Sequence, residues 1–133
     1  MKGFVFTPGT KSLENEYFRR VVYTAKYSQL VLMCLKPEED IGEEVHMLDQ
    51  FISCEQGTGT AMMDGIAHHM TAGVSVLIPA GTKHNIINAS ADQPMRLYTV
   101  YAPPNHRDGV IHKTKADAET DTEHFSGDTT EWA

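Results

Sequence analysis

Apolar and polar positions along this chain alternate in short bursts and never settle into a helical stripe ten or more residues long. Residues 18–25 (FRRVVYTA) and 29–35 (QLVLMCL) are rich in β-branched and apolar side chains, and 50–55 (QFISCE) alternates. Residues 59–65 (GTAMMDG) and 66–73 (IAHHMTAG) are split by Asp64-Gly65, a strong hairpin signal because both residues tolerate positive φ. A buried strand at 74–82 ends in a Pro-Gly corner, 84–88 (HNIIN) alternates, and 95–104 ends at paired prolines. Some eight short strands with turns between them predict a closed or sandwiched all-β architecture in one unit. Only 115–125 (KADAETDTEHF) has a helix-forming composition, and its apolar face is poor.

The most specific signal lies in residues 73–88, GVSVLIPAGTKHNIIN. Gly73, Pro79, Gly81, His84 and Asn88 match in full the pattern G-x5-P-x-G-x2-H-x3-N. Pro79 ends a strand where no backbone N–H is needed, Gly81 permits the corner, and alternation puts His84, Ile86 and Asn88 on one face. This segment resembles the second motif of the cupin family. The family's first motif, G-x5-H-x-H-x(3,4)-E-x6-G, is matched in part. Gly57 takes its last position, Gln50 stands for the glutamate, His46 for the second histidine and Glu44 for the first, while Glu38 replaces the leading glycine. The resemblance spans roughly residues 20–104. It is strongest to small single-domain cupins often labelled mannose-6-phosphate-isomerase-like, whose C-terminal extension resembles 101–118, YAPPNHRDGVIHKTKADA.

The resemblance implies a jelly-roll or double-stranded β-helix barrel with a divalent metal inside it. It divides the chain into an N-terminal arm (1–17), a barrel (18–104) and a C-terminal extension with an acidic tail (105–133). Carried over by position, the metal ligands are Glu44, His46, Gln50 and His84, with Asp49 as the rival to Gln50. Two imidazoles, one carboxylate and one amide suit Zn, Mn, Fe, Ni or Co better than Ca or Mg. Phe51, Asn88 and Tyr101 are the expected ligand-pocket residues, and no catalytic residue is singled out. A metal-free polar pocket, with Glu44 and Gln50 hydrogen-bonding the two histidines, is the competing account. His68 and His69 are adjacent and face opposite ways, so they cannot form one site. His106 and His112 are assigned structural or surface roles, with the pocket mouth as alternative. Tyr98 and Tyr101 differ in parity, so only one faces the lumen.

Composition narrows the function classes. The 133 residues allow one domain. The net charge of −7 arises almost wholly from residues 116–133, which carry six acids and no Lys or Arg. Neither part has the basic surface that nucleic-acid binding needs. No apolar run approaches the roughly 20 residues of a membrane span, and the N-terminus lacks an export signal's apolar core. Cys34 and Cys54, spaced unlike any zinc motif, are expected to be buried free thiols in a cytoplasmic protein. The tail from Thr120 has a disordered composition; packing through Phe125 and Trp132 against a second subunit is the expectation. A homodimer is expected too, through the edge-like strands of 18–35. The functional expectation is a metal-dependent enzyme on a small polar metabolite, of isomerase/epimerase or oxygenase type. A non-catalytic small-molecule binder or sensor is the alternative.

Overall fold

The computed structural model describes residues 1–131, so the expectation for Trp132 lies outside the described residues. A short helix α1 (Pro8–Glu14) precedes ten strands: β1 (Arg19–Thr24), β2 (Gln29–Leu35), β3 (Glu44–Val45), β4 (Asp49–Gln56), β5 (Thr58–Met63), β6 (Ile66–Thr71), β7 (Ser75–Ile78), β8 (Lys83–Asn88), β9 (Met95–Ala102) and β10 (Ile111–His112). Helix α2 (Lys115–Glu119) follows, capped by the Thr114 hydroxyl accepting from the Asp117 N–H. Two antiparallel sheets form, one in the order β10-β1-β2-β9-β4-β7 and the other β3-β8-β5-β6. This is the jelly-roll barrel that the strand pattern and the family resemblance imply.

Alternation explains what each sheet buries. On β2 every residue is buried, but for two reasons. Val31, Met33 and Leu35 point inward and join Ile52, Cys54, Ala61, Ile86 and Leu97 in the core. Leu30 and Leu32 point outward, where they line grooves together with Phe4 and Phe6 of the N-terminal arm. The arm is fixed by aromatic contacts, with Phe4 stacked on Tyr23 at 5.5 Å and Phe6 edge-on to Tyr98 at 6.4 Å. Each fully buried side chain of this size contributes about 1.5–3 kcal/mol, so the core outweighs any single surface contact.

Two turns set the sheet geometry. Asp64 and Gly65 have φ of +47° and +82°, which makes the tight β5–β6 hairpin. Gly57 has φ +103° at the point where the chain leaves β4 in the large sheet for β5 in the small one.

Three elements differ from the sequence expectation. Helix α1 was not anticipated, because seven residues are too few to show a stripe. The 18–35 strands are not an edge. β1 pairs with β10 through Arg19–His112 and Arg20–Ile111, the Val21 N–H donates to the Val110 carbonyl, and the Thr130 N–H donates to the Thr24 carbonyl. The acidic tail therefore returns to its own barrel. The Phe125 N–H donates to the Asn105 carbonyl, and Glu131 accepts from Tyr23 and from the Lys2 and Gly3 amides.

Candidate metal centre

β3 and β8 pair Glu44 directly with His84, so one register places a carboxylate beside an imidazole at the barrel wall. His46 follows β3 by one residue and, by the same alternation, comes to the face of Glu44. Ligand atoms of Glu44, His46 and His84 all lie within 4.8 Å of one another. The imidazole rings of His46 and His84 are 5.2 Å apart.

The donor set is unusual in what it leaves unsatisfied. His46 Nε2 sits 2.6 Å from Glu44 Oε2. The nitrogen is buried and makes no well-aligned hydrogen bond, so the Glu44 contact does not saturate it. His84 Nδ1 is 2.9 Å from the Thr82 carbonyl, which can only accept. Nδ1 therefore carries a proton, and in the neutral ring Nε2 is the nitrogen with the free lone pair. Burial pushes the Glu44 carboxyl up, but its contact with His46 and the nearby Arg19 charge outweigh that and hold it below the ordinary glutamate value. An ionised carboxylate and two imidazoles whose ligand atoms converge within 4.8 Å fit a divalent transition metal.

The remaining expected residues separate clearly. Gln50 is buried on the inner face of β4, 3% exposed, beside Tyr101 in register. Its Nε2 donates to Thr99 Oγ1 at 3.1 Å, and its Oε1 is buried with no partner. The Tyr101 ring meets His46 edge-on at 6.2 Å, which ties Gln50's wall of the barrel to the cluster. Asp49 is exposed and its carboxylate accepts from the Ala80 N–H, so it faces away from the barrel interior.

Phe51 is not brought to the cluster. It alternates with Gln50 and Ile52 and packs on Tyr98 at 6.1 Å, on the outer face where Phe6 also lies. Asn88 is buried, but Nδ2 faces the carbonyls of Leu35, Lys36 and Gln93 while Oδ1 accepts from the Ser90 N–H. Its amide protons are spent on bracing the chain, and its oxygen already accepts one bond there. Tyr101 is buried inside the barrel and burial pushes its phenol up to about 12. It stays a neutral donor at any ordinary pH.

Glu123 and Arg19 escaped the sequence reading, whereas His106 and His112, expected in structural or surface roles or at the pocket mouth, are both buried. His106 contacts the Tyr101 ring at 5.3 Å and holds Glu123 of the tail at 2.6 Å through Nδ1. Both side chains are buried, at 8% and 3% exposure. Burial lowers the His106 pKa. Burial raises the Glu123 carboxyl, and the hydrogen bonds from His106 and the Arg107 N–H more than offset it, leaving it low. Arg19 is buried on the inner side of β1 and approaches His112 Nδ1 at 3.2 Å. His112 Nε2 in turn meets Asp121 at 2.9 Å. An arginine can only donate, so His112 is neutral with its proton on Nε2. The available signal was parity: in FRRVV, Arg19 shares a strand face with the core residue Val21. His68 and His69 are both exposed on β6.

The profile of the cupin domain matches residues 31–101 of the chain, more than half of it. This protein belongs to the cupin family. The cupin is 41% identical over 124 residues to the Bacillus subtilis protein YrkC, covering 88% of this chain and 66% of that protein. It is 44% identical over 112 residues to protein L612 of Acanthamoeba polyphaga mimivirus, covering 81% of this chain and 70% of L612. The cupin thus spans about two thirds of the length of these relatives. Among solved structures, BH2720 from Bacillus halodurans superposes with a TM-score of 0.87 at 37% identity, covering 90% of this chain and 96% of that one.

Proposed function

We propose that this cupin binds one divalent transition metal through Glu44, His46 and His84, with Gln50 as a fourth, neutral ligand, and acts as an enzyme on a small polar metabolite. The observation that carries the reading is the convergence of ligand atoms of Glu44, His46 and His84 within 4.8 Å of one another, with the buried Gln50 Oε1 left without a hydrogen bond on the same barrel interior. A metal held there would supply Lewis-acid polarisation of a substrate oxygen. The chain's own residues supply the rest. His84 is oriented by the Thr82 carbonyl, Tyr101 offers a buried neutral hydroxyl, and the low dielectric of the barrel strengthens each polar contact.

The experiment is elemental analysis of protein purified without chelators, beside the His46→Ala/His84→Ala variant. The expected outcome is about one metal per chain in the wild type and none in the variant, with both folded by circular dichroism. Stoichiometric metal in the variant, or none in the wild type after incubation with Mn(II), Fe(II), Ni(II) and Zn(II), rejects the site.

The second reading, a non-catalytic small-molecule binder, is favoured by one observation: the carboxylate in the cluster is the one a metal would claim, so it is not free to act as a base. Turnover of a bound compound separates the two. The protein is further read as a cytoplasmic homodimer. Two buried free thiols support the compartment, and the free edge of β7 with Leu77 exposed supports the dimer.

A further inference from the structure

Beside the cluster lies a cavity of about 140 Å³ that Arg19 and Glu44 share. Phe18, Ile41 and Ala118 give it apolar walls, and Lys115 and Glu119 of α2 complete it. Arg19 is 8% exposed, with its guanidinium 5.3 Å from the Phe18 ring centre. One N–H is directed at His112, while Nε is buried with no partner. No carboxylate pairs with Arg19 among the described residues. Lys115, by contrast, is neutralised by Asp40 at 2.5 Å, and Glu119 is exposed to solvent. A desolvated guanidinium with donors to spare is costly to leave unpaired, and its planar fork matches a carboxylate.

We infer that Arg19 is an anion subsite of the barrel, and that the small molecule this cupin takes carries a carboxylate. The inference rests on the proposed metal site for its second anchor. A metal at Glu44 would take up that side chain's charge, leaving Arg19 as a positive group in the shared cavity with no acid of its own. A short acid could then place one end on Arg19 while another oxygen reaches toward Glu44's side of the cavity. The volume is well below the roughly 300–1,000 Å³ of sites for drug-sized ligands, which limits the ligand to a few carbons. Phe18 and Ile41 suit a short apolar spacer between two polar ends.

Malonate and its neutral counterpart malonamide test this by isothermal titration, with and without Mn(II), and with metal content measured on every sample. The wild type is expected to bind malonate at least about tenfold more tightly than malonamide, since only the acid makes charge-assisted bonds. Arg19→Met is expected to lose at least about tenfold in malonate affinity while keeping its metal, and Arg19→Lys to fall between, because an ammonium keeps the charge without the fork. Equal binding of acid and diamide by the wild type overturns the inference without any variant. Malonate binding that is indifferent to Arg19 in folded, metal-loaded protein overturns it too. Arg19-dependent binding in a protein that takes up no metal would sink the metal site and leave the anion subsite standing. Metal uptake with no preference for malonate would do the reverse.

Discussion

At the scale of single residues, the proposed site turns on Gln50. Position counting reached it from the spacing to Gly57, and parity placed Asp49 on the opposite face; the structure has Gln50 buried and Asp49 capping the Ala80 N–H. What spacing cannot convey is saturation. Asn88 stands in the matched motif, yet three backbone carbonyls consume its amide. Phe51 was expected in the pocket, yet strand parity turns it to Tyr98. Arg19 went unnoticed because its meaning lies in Nε finding no partner, a fact about the fold and not about the pattern. Gln50→Glu converts these points into a measurement. Without metal, the new carboxylate takes a buried position against Thr99 and Tyr101, and the variant should lose roughly 1–3 kcal/mol of stability in urea melts. With Mn(II) the same carboxylate becomes a better ligand than an amide. Affinity should then rise at least about tenfold, and the melting temperature should recover, because a ligand that binds only the folded chain stabilises it. A variant as stable as wild type without metal, and unmoved by metal, would place Gln50 away from the centre.

At the scale of elements, the strands were legible because each half-buried strand writes its alternation into the sequence. β2 falls on 29–35 as anticipated, and Asp64-Gly65 makes the expected hairpin. The two-residue strands β3 and β10 carry too few positions for any period, although β3 is the element that pairs Glu44 with His84. The crossing between sheets at Gly57 is a local demand that a single residue meets. A Cβ there would sit 2.7 Å from the Pro94 carbonyl oxygen and 2.9 Å from Met95 Cα, at φ +103°. Gly73 has φ +90° but open space around it. Both alanine variants incur backbone strain of about 1–3 kcal/mol, and only Gly57→Ala adds a clash with backbone that cannot rotate away. Gly57→Ala should therefore be more destabilising than Gly73→Ala by at least about 1 kcal/mol, read from urea midpoints at constant slope. Equal losses would show that β4 and β5 can shift apart at no cost.

At the scale of the whole molecule, the barrel was readable but its closure was not. Whether β1 is an edge depends on residues 110–112 and 130, about ninety or more positions later in the chain, and no local signal reports so distant a pairing. The acidic tail, whose composition points to disorder, is held by specific partners instead. Glu123 pairs with buried His106, and Asp121 with His112, which in turn meets Arg19 inside the barrel. Removing residues 120–133 leaves His106 and His112 without these carboxylates, and losing the hydrogen bond from buried His106 to the ionised Glu123 alone should cost about 1.5–3 kcal/mol near pH 7. The pH dependence fixes the cause. In the fold, burial opposes ionisation of Glu123 but its bonds to His106 and Arg107 win, and the His112 hydrogen bond lowers Asp121, so both titrate below their ordinary range. A carboxyl whose pKa is depressed by folding gives stability that is fully present above its unfolded value, roughly 4, and lost as pH falls through the folded value. His106 adds a loss that begins higher. Burial depresses its pKa, so the unfolded chain binds the extra proton and stability declines as pH drops below about 6.5. The full-length chain should thus lose stability in two stages on acidification. The gap between it and the truncated chain should be widest near pH 7 and narrow steadily toward about pH 3, as the paired carboxylates protonate. A gap that stays constant across that range would mean that the tail stabilises the barrel by covering it and not by pairing charge.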